Sequence, residues 1–68
     1  MKEHPQYLTE TQVAEITGIA ISTLRNHRFE RRGIPYCKIG RSVRYRLSDV
    51  IEYMDSHLID TGEVFSHV

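Results

Sequence analysis

The sequence predicts a mainly α-helical domain with one small β-hairpin, placed between the second and third of three short helices. Three observations support this fold class. Apolar residues recur at the spacing of an α-helix in three separate segments. Basic and apolar residues alternate on both sides of Gly40, which is typical of a hairpin. The chain has 68 residues, which is enough for one domain with a small core.

The signals at the start of the first helix are local and specific. After a short extended piece, Tyr7-Leu8, the residues Thr9 and Gln12 have the spacing of a capping box, in which each side chain binds the backbone amide of the other residue. Gly18 tolerates the left-handed conformation that ends many helices. The pattern therefore predicts a helix from Glu10 to Thr17.

A second helical pattern begins only a few residues later. It runs from Ile21 through about Arg31, and Gly33 is expected to cap it. Two short helices joined by so few residues, with the small Ala14 where they cross, predict a helix-turn-helix. Ile19 and Leu24 are then the apolar residues between the two helices. A second interpretation stays open, an αα-hairpin that binds no ligand, since any small helical protein needs such a turn.

The hairpin pattern allows its register to be predicted. A three-residue loop at residues 40–42 sets Ile39 opposite Val43 and Cys37 opposite Tyr45 on one face. A two-residue loop would mix apolar and basic residues on each face, so the hydrophobic pattern favours the three-residue loop. In this register the four residues form an inner face, and Cys37 is a small core residue.

The outer face of the predicted hairpin carries like charges. Lys38 lies opposite Arg44, and like charges directly opposite one another destabilise a sheet. With Arg41 and Arg46, the hairpin holds four cations and no acid. A polyanion that neutralises these cations would explain the composition. The alternative is that the cations only protect a strand edge from aggregation.

The last helix is expected to complete the core. It begins around Leu47, with Ser48 as its N-cap and Asp49 in the first turn, where an acid is favourable. Its apolar stripe consists of Leu47, Val50, Ile51, Met54 and Leu58. We expect this stripe to cover the first helix and the inner face of the hairpin. The alternative is that part of it, with Tyr53, forms a contact between protomers.

The composition argues against several classes of protein. One cysteine excludes an internal disulfide and fits a reducing compartment. The apolar runs are too short for a membrane span and the start resembles no signal peptide, so a cytoplasmic location is expected. Scattered histidines show no metal-ligand spacing, and cofactor motifs and catalytic pairs are absent, so we expect no metal, no cofactor and no enzyme. The domain is expected at residues 7–58, between a flexible leader at 1–6 and a mobile tail at 59–68.

Charge is distributed very unevenly along the chain. Eight of the nine Lys and Arg residues lie from Arg25 to Arg46 with one acid, Glu30, so this segment carries 8 − 1 = +7 in a chain whose net charge is zero. From Leu47 onward there are five acids and no Lys or Arg. A basic patch on a helix-turn-helix favours double-stranded DNA as the partner.

Two groups of residues are candidates for DNA contact. On the second helix, arginine can bind guanine through two hydrogen bonds, asparagine can bind adenine in the same way, and hydroxyl groups near the helix start can reach phosphate. The candidates there are Ser22, Thr23, Arg25, Asn26, Arg28 and Phe29. On the hairpin, an arginine at the tip suits a narrow minor groove, and the other cations suit the phosphate backbone. The candidates there are Lys38, Arg41, Ser42, Arg44 and Arg46.

The order of these motifs resembles a known family. The residues that carry the resemblance are Leu8-Thr9-Glu10, Val13-Ala14, Thr17-Gly18-Ile19, Ser22-Thr23-Leu24-Arg25, Ile34-Pro35, Lys38-Ile39-Gly40-Arg41, Arg44-Tyr45 and Ser48-Asp49-Val50. From Tyr7 to about Leu58 the chain is similar to the small excisionase-like and AlpA-like winged helix-turn-helix proteins, relatives of the DNA-binding domain of MerR regulators. The resemblance implies a winged helix-turn-helix fold with the hairpin as the wing. It also implies a bacterial, phage or mobile-element protein that directs a recombinase towards excision or regulates transcription.

The sequence thus predicts a sequence-specific, double-stranded DNA-binding accessory protein that performs no chemistry. Its further partners would be a site-specific integrase or the transcription machinery, and it would be associated with the nucleoid or encoded by a phage. Because one small domain buries little surface on DNA, either several copies that bind side by side and cooperatively or a partner protein is expected. The alternative, from a different class, is a protein-interaction adaptor that uses the acidic last helix.

Overall fold

The computed structural model describes residues 6–60. This part of the chain contains three short helices and three short strands. In chain order the elements are β1 (Tyr7–Leu8), α1 (Glu10–Thr17), α2 (Ile21–Phe29), β2 (Cys37–Ile39), β3 (Ser42–Arg46) and α3 (Leu47–Ser56). This order confirms the predicted mainly α-helical fold with a small hairpin, and it is that of a winged helix-turn-helix. Residues 1–5 of the expected leader and residues 61–68 of the expected tail lie outside the described residues.

The start and end of α1 agree with the sequence prediction. The Thr9 hydroxyl accepts a hydrogen bond from the Gln12 amide at 3.2 Å, and the Thr9 amide donates to Gln12 Oε1 at 2.9 Å. Gly18 has a φ of 77° and its amide donates to the Ala14 carbonyl at 2.8 Å. These contacts satisfy backbone groups that a helix end leaves without partners. The helix spans Glu10–Thr17, as predicted.

Helix α2 ends about two residues earlier than predicted. Its last residue is Phe29, because the chain turns into the left-handed region at Arg31, whose φ is 61°. The amides of Arg31 and Arg32 then donate to the carbonyls of Arg28 and His27 at 3.1 and 2.9 Å. The predicted cap, Gly33, lies beyond this turn.

The register predicted for the hairpin is wrong. Ile39 pairs with Ser42, Lys38 with Val43 and Cys37 with Arg44, so the loop between β2 and β3 has two residues, not three. Gly40 has a φ of 61°, and glycine at the first position of a two-residue loop is typical of the type II′ turn, whose twist suits a hairpin. Lys38 therefore does not lie opposite Arg44, and the like-charge pair of the prediction does not exist.

The change of register also reverses the face of two apolar residues. Val43 and Tyr45 point towards the core, whereas Cys37 is exposed and Ile39 is 77% exposed. Strand β1 pairs with the other edge of β3 and sets Leu8 opposite Tyr45, so that Leu8 is a further apolar residue in the core. Cys37 is therefore a surface residue, not the core residue that was predicted.

The core lies between the helix-turn-helix and strand β3. Its buried members are Leu8, Val13, Leu24, Ile34, Tyr45 and Val50. Partly buried residues pack around them, among them Ile19 from the turn and Ala14 from α1. Leu24 and Ile19 thus lie where the sequence places them.

Helix α3 contributes less to the core than predicted. Val50 is buried and Leu47 is partly buried, but the other members of the predicted stripe, Ile51, Met54 and Leu58, are exposed. Strand β3 continues directly into α3 without a loop, so only one edge of the helix meets the core. The predicted N-cap is also wrong, since Arg46 occupies that position and no side chain caps the helix.

Candidate nucleic-acid interface

Four of the six predicted contact residues of α2 lie on the side of the helix that faces away from Leu24, whereas Arg28, four positions after Leu24, lies on the inner side and Thr23 lies at the border. Ser22, Asn26 and Phe29 are exposed, Thr23 is half-buried, and the side chain of Arg25 is 61% exposed. The burial of Leu24 fixes this orientation, because residues one and two positions away on a helix point to other sides. Helix α2 therefore offers one arginine, one asparagine and one aromatic ring on a single accessible surface.

A concave surface, here called the basic groove, lies between α2 and the hairpin. Its lining residues are Thr9, Glu10, Thr11, Arg25, Arg28, Arg41, Ser42, Val43 and Arg44. A neighbouring depression shares Arg25, Arg28, Arg41 and Val43 and adds Lys38, Phe29 and Tyr36. The structure thus brings cations that are distant in sequence to the two sides of one concave surface.

Arg28 links α2 to the hairpin. Its Nη1 donates to the Tyr45 hydroxyl at 2.7 Å, its Nη2 donates to Glu10 Oε1 at 3.2 Å, and its guanidinium lies 5.8 Å from the centre of the Tyr36 ring. Burial lowers the pKa of Arg28, but the hydrogen bonds to Tyr45 and Glu10 outweigh this effect, so the pKa is raised overall. The side chain of Arg28 is only 17% exposed and is held by contacts within the domain, and a DNA contact by this residue stays a prediction.

Arg25 is paired with Glu10 across the helix-turn-helix. Its Nε donates to Glu10 Oε1 at 3.2 Å and its Nη2 to Oε2 at 2.5 Å. The hydrogen bond from Arg25 lowers the pKa of the Glu10 carboxyl, and the same bond raises the pKa of Arg25. Glu10 was not among the predicted site residues. The two residues are 15 positions apart, and an acid in a first helical turn ordinarily needs no explanation beyond the helix dipole.

Arg46 differs from the other predicted wing residues. It does not line the basic groove; its Nε and Nη2 donate to the two carboxylate oxygens of Asp49 at 2.7 and 3.1 Å. This hydrogen bonding to Asp49 raises the pKa of Arg46. Arg46 pairs with Tyr7 in the sheet, at the start of α3. The structure thus gives Arg46 a local partner, and a DNA contact by this residue stays a prediction.

The described residues contain no cluster suited to a metal ion and no membrane-spanning helix. Among residues 6–60, no three side chains of His, Cys, Asp or Glu come together as metal ligands would. None of the helices in this range is long and apolar enough to cross a membrane.

A helix-turn-helix whose second helix and hairpin line one basic groove defines a small winged helix-turn-helix of the DNA-binding class. A family model described as a helix-turn-helix domain matches residues 7–58 of the chain. The chain therefore belongs to this helix-turn-helix family and is a DNA-binding helix-turn-helix protein. Neither a curated protein nor a solved structure matches it at a significant level.

Proposed function

We propose that the protein is a sequence-specific, double-stranded DNA-binding accessory protein of the excisionase and AlpA type. In this role it directs a site-specific recombinase towards excision or regulates transcription. The observation that carries the proposal is the basic groove, which joins the exposed side of α2 to the hairpin. A short rigid helix beside such a wing fits a B-form duplex, whereas single-stranded partners favour aromatic platforms.

In this proposal α2 reads bases in the major groove. Arg25 binds guanine, Asn26 binds adenine, and Phe29 contacts a thymine methyl group. The hydroxyl groups of Ser22 and Thr23 lie in the first turn of α2 and bind phosphate, which sets the position of the helix on the duplex. The contacts to base edges give specificity, and the contacts to phosphate give register.

The hairpin acts as a wing that holds the flanking backbone. Arg41 lies in the turn and enters the neighbouring minor groove, where narrow tracts attract arginine. Lys38, Ser42 and Arg44 bind phosphate. Arg46 stays a predicted contact, although Asp49 already pairs with its guanidinium at the start of α3.

The biological setting follows from the proposed role and from the resemblance to excisionases. The protein acts in the cytoplasm of a bacterium, on host or phage DNA, beside an integrase or the transcription machinery. A single module buries only about 600–1,000 Å² on DNA. Several copies therefore bind adjacent sites, with cooperativity supplied by neighbouring copies or by the partner protein.

The salt dependence of duplex binding tests the proposal. With about five phosphate contacts, the slope of log K against log salt should lie near −4.5. Arg25→Ala and Asn26→Ala should each weaken binding to a duplex selected from random sequences by about tenfold or more, and relax its specificity. Arg32→Ala is the matched control, since Arg32 is an exposed cation outside the basic groove. Absence of duplex binding at low salt, with the fold intact, would refute the proposal.

The exposed apolar side of α3 favours a second candidate function, a protein-interaction adaptor. Ile51 and Met54 of α3 are exposed near the acids Glu52 and Asp55, and Leu58, two residues after the end of the helix, is exposed as well. Under this alternative, Ile51→Glu abolishes capture of a protein partner while DNA binding is absent in the wild type. Specific duplex binding by the wild type that Ile51→Glu leaves unchanged would exclude the adaptor as the primary role.

A further inference from the structure

Glu10 is the one acid among the residues that line the basic groove within the described part of the chain. It lies in the first turn of α1 and contacts two arginines of α2, Arg25 and Arg28. A carboxylate in a groove that binds DNA opposes phosphate, so it should weaken binding unless it does something else there. Its position therefore calls for a reason beyond the stability of α1.

The two arginine partners hold Glu10 in different ways. Arg28 is largely buried and is itself fixed by the Tyr45 hydroxyl at 2.7 Å. Arg25 is mainly exposed. Glu10 is 21% exposed, so the carboxylate is anchored on its inner side and Arg25 is the movable partner. If Arg25 leaves, Glu10 Oε2 loses its only hydrogen-bond partner among residues 6–60, and Arg28 at Oε1 is left to balance the carboxylate alone.

The pairing occupies one edge of the Arg25 guanidinium. Nε and Nη2 point to Glu10, whereas Nη1 makes no hydrogen bond within residues 6–60. The outer end of the side chain can therefore donate to a guanine edge while the pair with Glu10 persists. A phosphate is different, because it would bring a second full negative charge next to the carboxylate.

We propose that Glu10 is a specificity-determining residue, which holds Arg25 for contact with a base edge and opposes its use as a phosphate contact. This inference rests on the proposed function. Sequence-independent binding comes almost entirely from cations that neutralise phosphate. Glu10 therefore lowers the affinity for unrelated DNA more than the affinity for the cognate site, and the ratio of the two affinities rises.

The Glu10→Gln variant tests the inference. Its dissociation constants are measured across salt concentrations on the duplex selected by the wild type and on an unrelated duplex of equal length. We expect tighter binding to the unrelated duplex, a salt slope on it that is steeper by about 0.9, and a specificity ratio reduced by about fivefold or more. An unchanged ratio would overturn the inference.

The matched control is Glu30→Gln. Glu30 pairs with Arg32 at 2.7 Å outside the basic groove, so this variant removes the same charge in a different place. It should shift both affinities by a similar factor and leave the ratio unchanged. An equal loss of ratio in both variants would mean that net charge alone is responsible, and would overturn the role of Glu10.

A double-mutant cycle tests whether Glu10 acts on specificity through Arg25. Arg25→Lys keeps the positive charge but loses the two-bond pair with Glu10, so Glu10→Gln in this background should reduce the specificity ratio no further. Additive losses would show that Glu10 does not act through Arg25. Failure of the wild type to prefer any duplex sequence would refute the proposed function and this inference together. A selective wild type with an equally selective Glu10→Gln variant would refute this inference alone.

Discussion

The hydroxyl of Tyr45 joins the wing to α2, and its removal tests whether this single bond couples the two parts of the interface. The side chain of Tyr45 is 1% exposed, and its hydroxyl accepts a hydrogen bond from Arg28 Nη1 at 2.7 Å. Tyr45→Phe keeps the ring in the core and deletes only the oxygen. The variant therefore leaves the guanidinium of Arg28 with one acceptor fewer.

The size of the effect follows from the surroundings of Arg28. A hydrogen bond to a charged group contributes about 1.5–3 kcal/mol. Arg28 keeps its contact with Glu10 at 3.2 Å and its position over Tyr36, and water still reaches part of the side chain. We therefore expect the lower end of the range, a loss of about 1.5 kcal/mol in the free energy of unfolding. In a domain of this size that corresponds to a decrease in Tm of roughly 6–12 °C.

Urea unfolding followed by circular dichroism measures this loss. Tyr7→Phe is the control, because Tyr7 is exposed and its hydroxyl makes no hydrogen bond within residues 6–60. The control should change the free energy of unfolding by no more than about 0.5 kcal/mol. A Tyr45→Phe variant as stable as Tyr7→Phe would refute the reasoning, since the bond to Arg28 would then contribute nothing.

Three other properties of the chain give predictions of the same kind. In Gly33→Ala the new Cβ would lie 2.8 Å from the Cβ of His27 at a φ of 89°, so we expect a loss of about 2–4 kcal/mol. At Gly18, whose φ is 77°, a new Cβ would have no atom within 4 Å, so Gly18→Ala should lower the free energy of unfolding by only about 1–2 kcal/mol. If urea unfolding shows equal losses for the two variants, the contact with His27 does not explain the loss at Gly33. The hydrogen bond from Arg25 lowers the pKa of Glu10 in the folded state below its ordinary value of 4.5. The unfolded state therefore binds a proton at Glu10 more readily than the folded state does. The stability that Glu10 contributes is present above pH 4.5 and is lost as the pH falls through the folded pKa. When the pH is lowered from above 4.5 to below it, the urea midpoint should therefore fall less for Glu10→Gln than for the wild type. Parallel plots of urea midpoint against pH for the two proteins would exclude this effect. Arg41→Ala should weaken binding to all duplexes alike and reduce the salt slope by about 0.9; an unchanged slope in binding titrations would remove Arg41 from the phosphate and minor-groove contacts.

The bounds of α1 could be predicted because every signal for them is local. Thr9 and Gln12 bind one another's amides across three positions, and Gly18 ends the helix by its own conformational freedom. No distant residue takes part in these contacts. Periodicity and turn chemistry therefore determine this element without knowledge of the rest of the fold.

The hairpin register could not be predicted in the same way. Apolar residues at alternate positions on both strands fit the three-residue loop better, and that preference assumes that all of them face the core. The pairing of Leu8 with Tyr45 brings a third strand to β3, and with it the apolar residue that completes the inner face. Ile39 and Cys37 are then not needed in the core. The core is thus filled in part by Leu8, which lies 37 positions before its partner Tyr45, and the local pattern of the hairpin contains no sign of this contact.

The exposed apolar side of α3 has a comparable cause. The hydrophobic stripe predicts that the helix is amphipathic, but it does not say how much of the stripe the core can accept. Val50 belongs to the same core cluster as Tyr45 and Ile34, and Tyr53 packs against that cluster. The helix follows strand β3 directly, and Ile51 and Met54 lie outside the core. Such geometry is decided by the packing of the whole domain.

The role proposed for the wing does not depend on a like-charge pair within the hairpin. In the observed register Lys38 pairs with Val43 and Arg44 with Cys37, so the two cations lie on opposite faces and repel one another less. Arg44 lines the basic groove, and Lys38 lines the neighbouring depression together with Phe29. The observed register contains no like-charge cross-strand pair that DNA would have to neutralise. In the proposed function the wing is therefore a preformed surface, and its contribution to affinity is not reduced by a cost of ordering the hairpin.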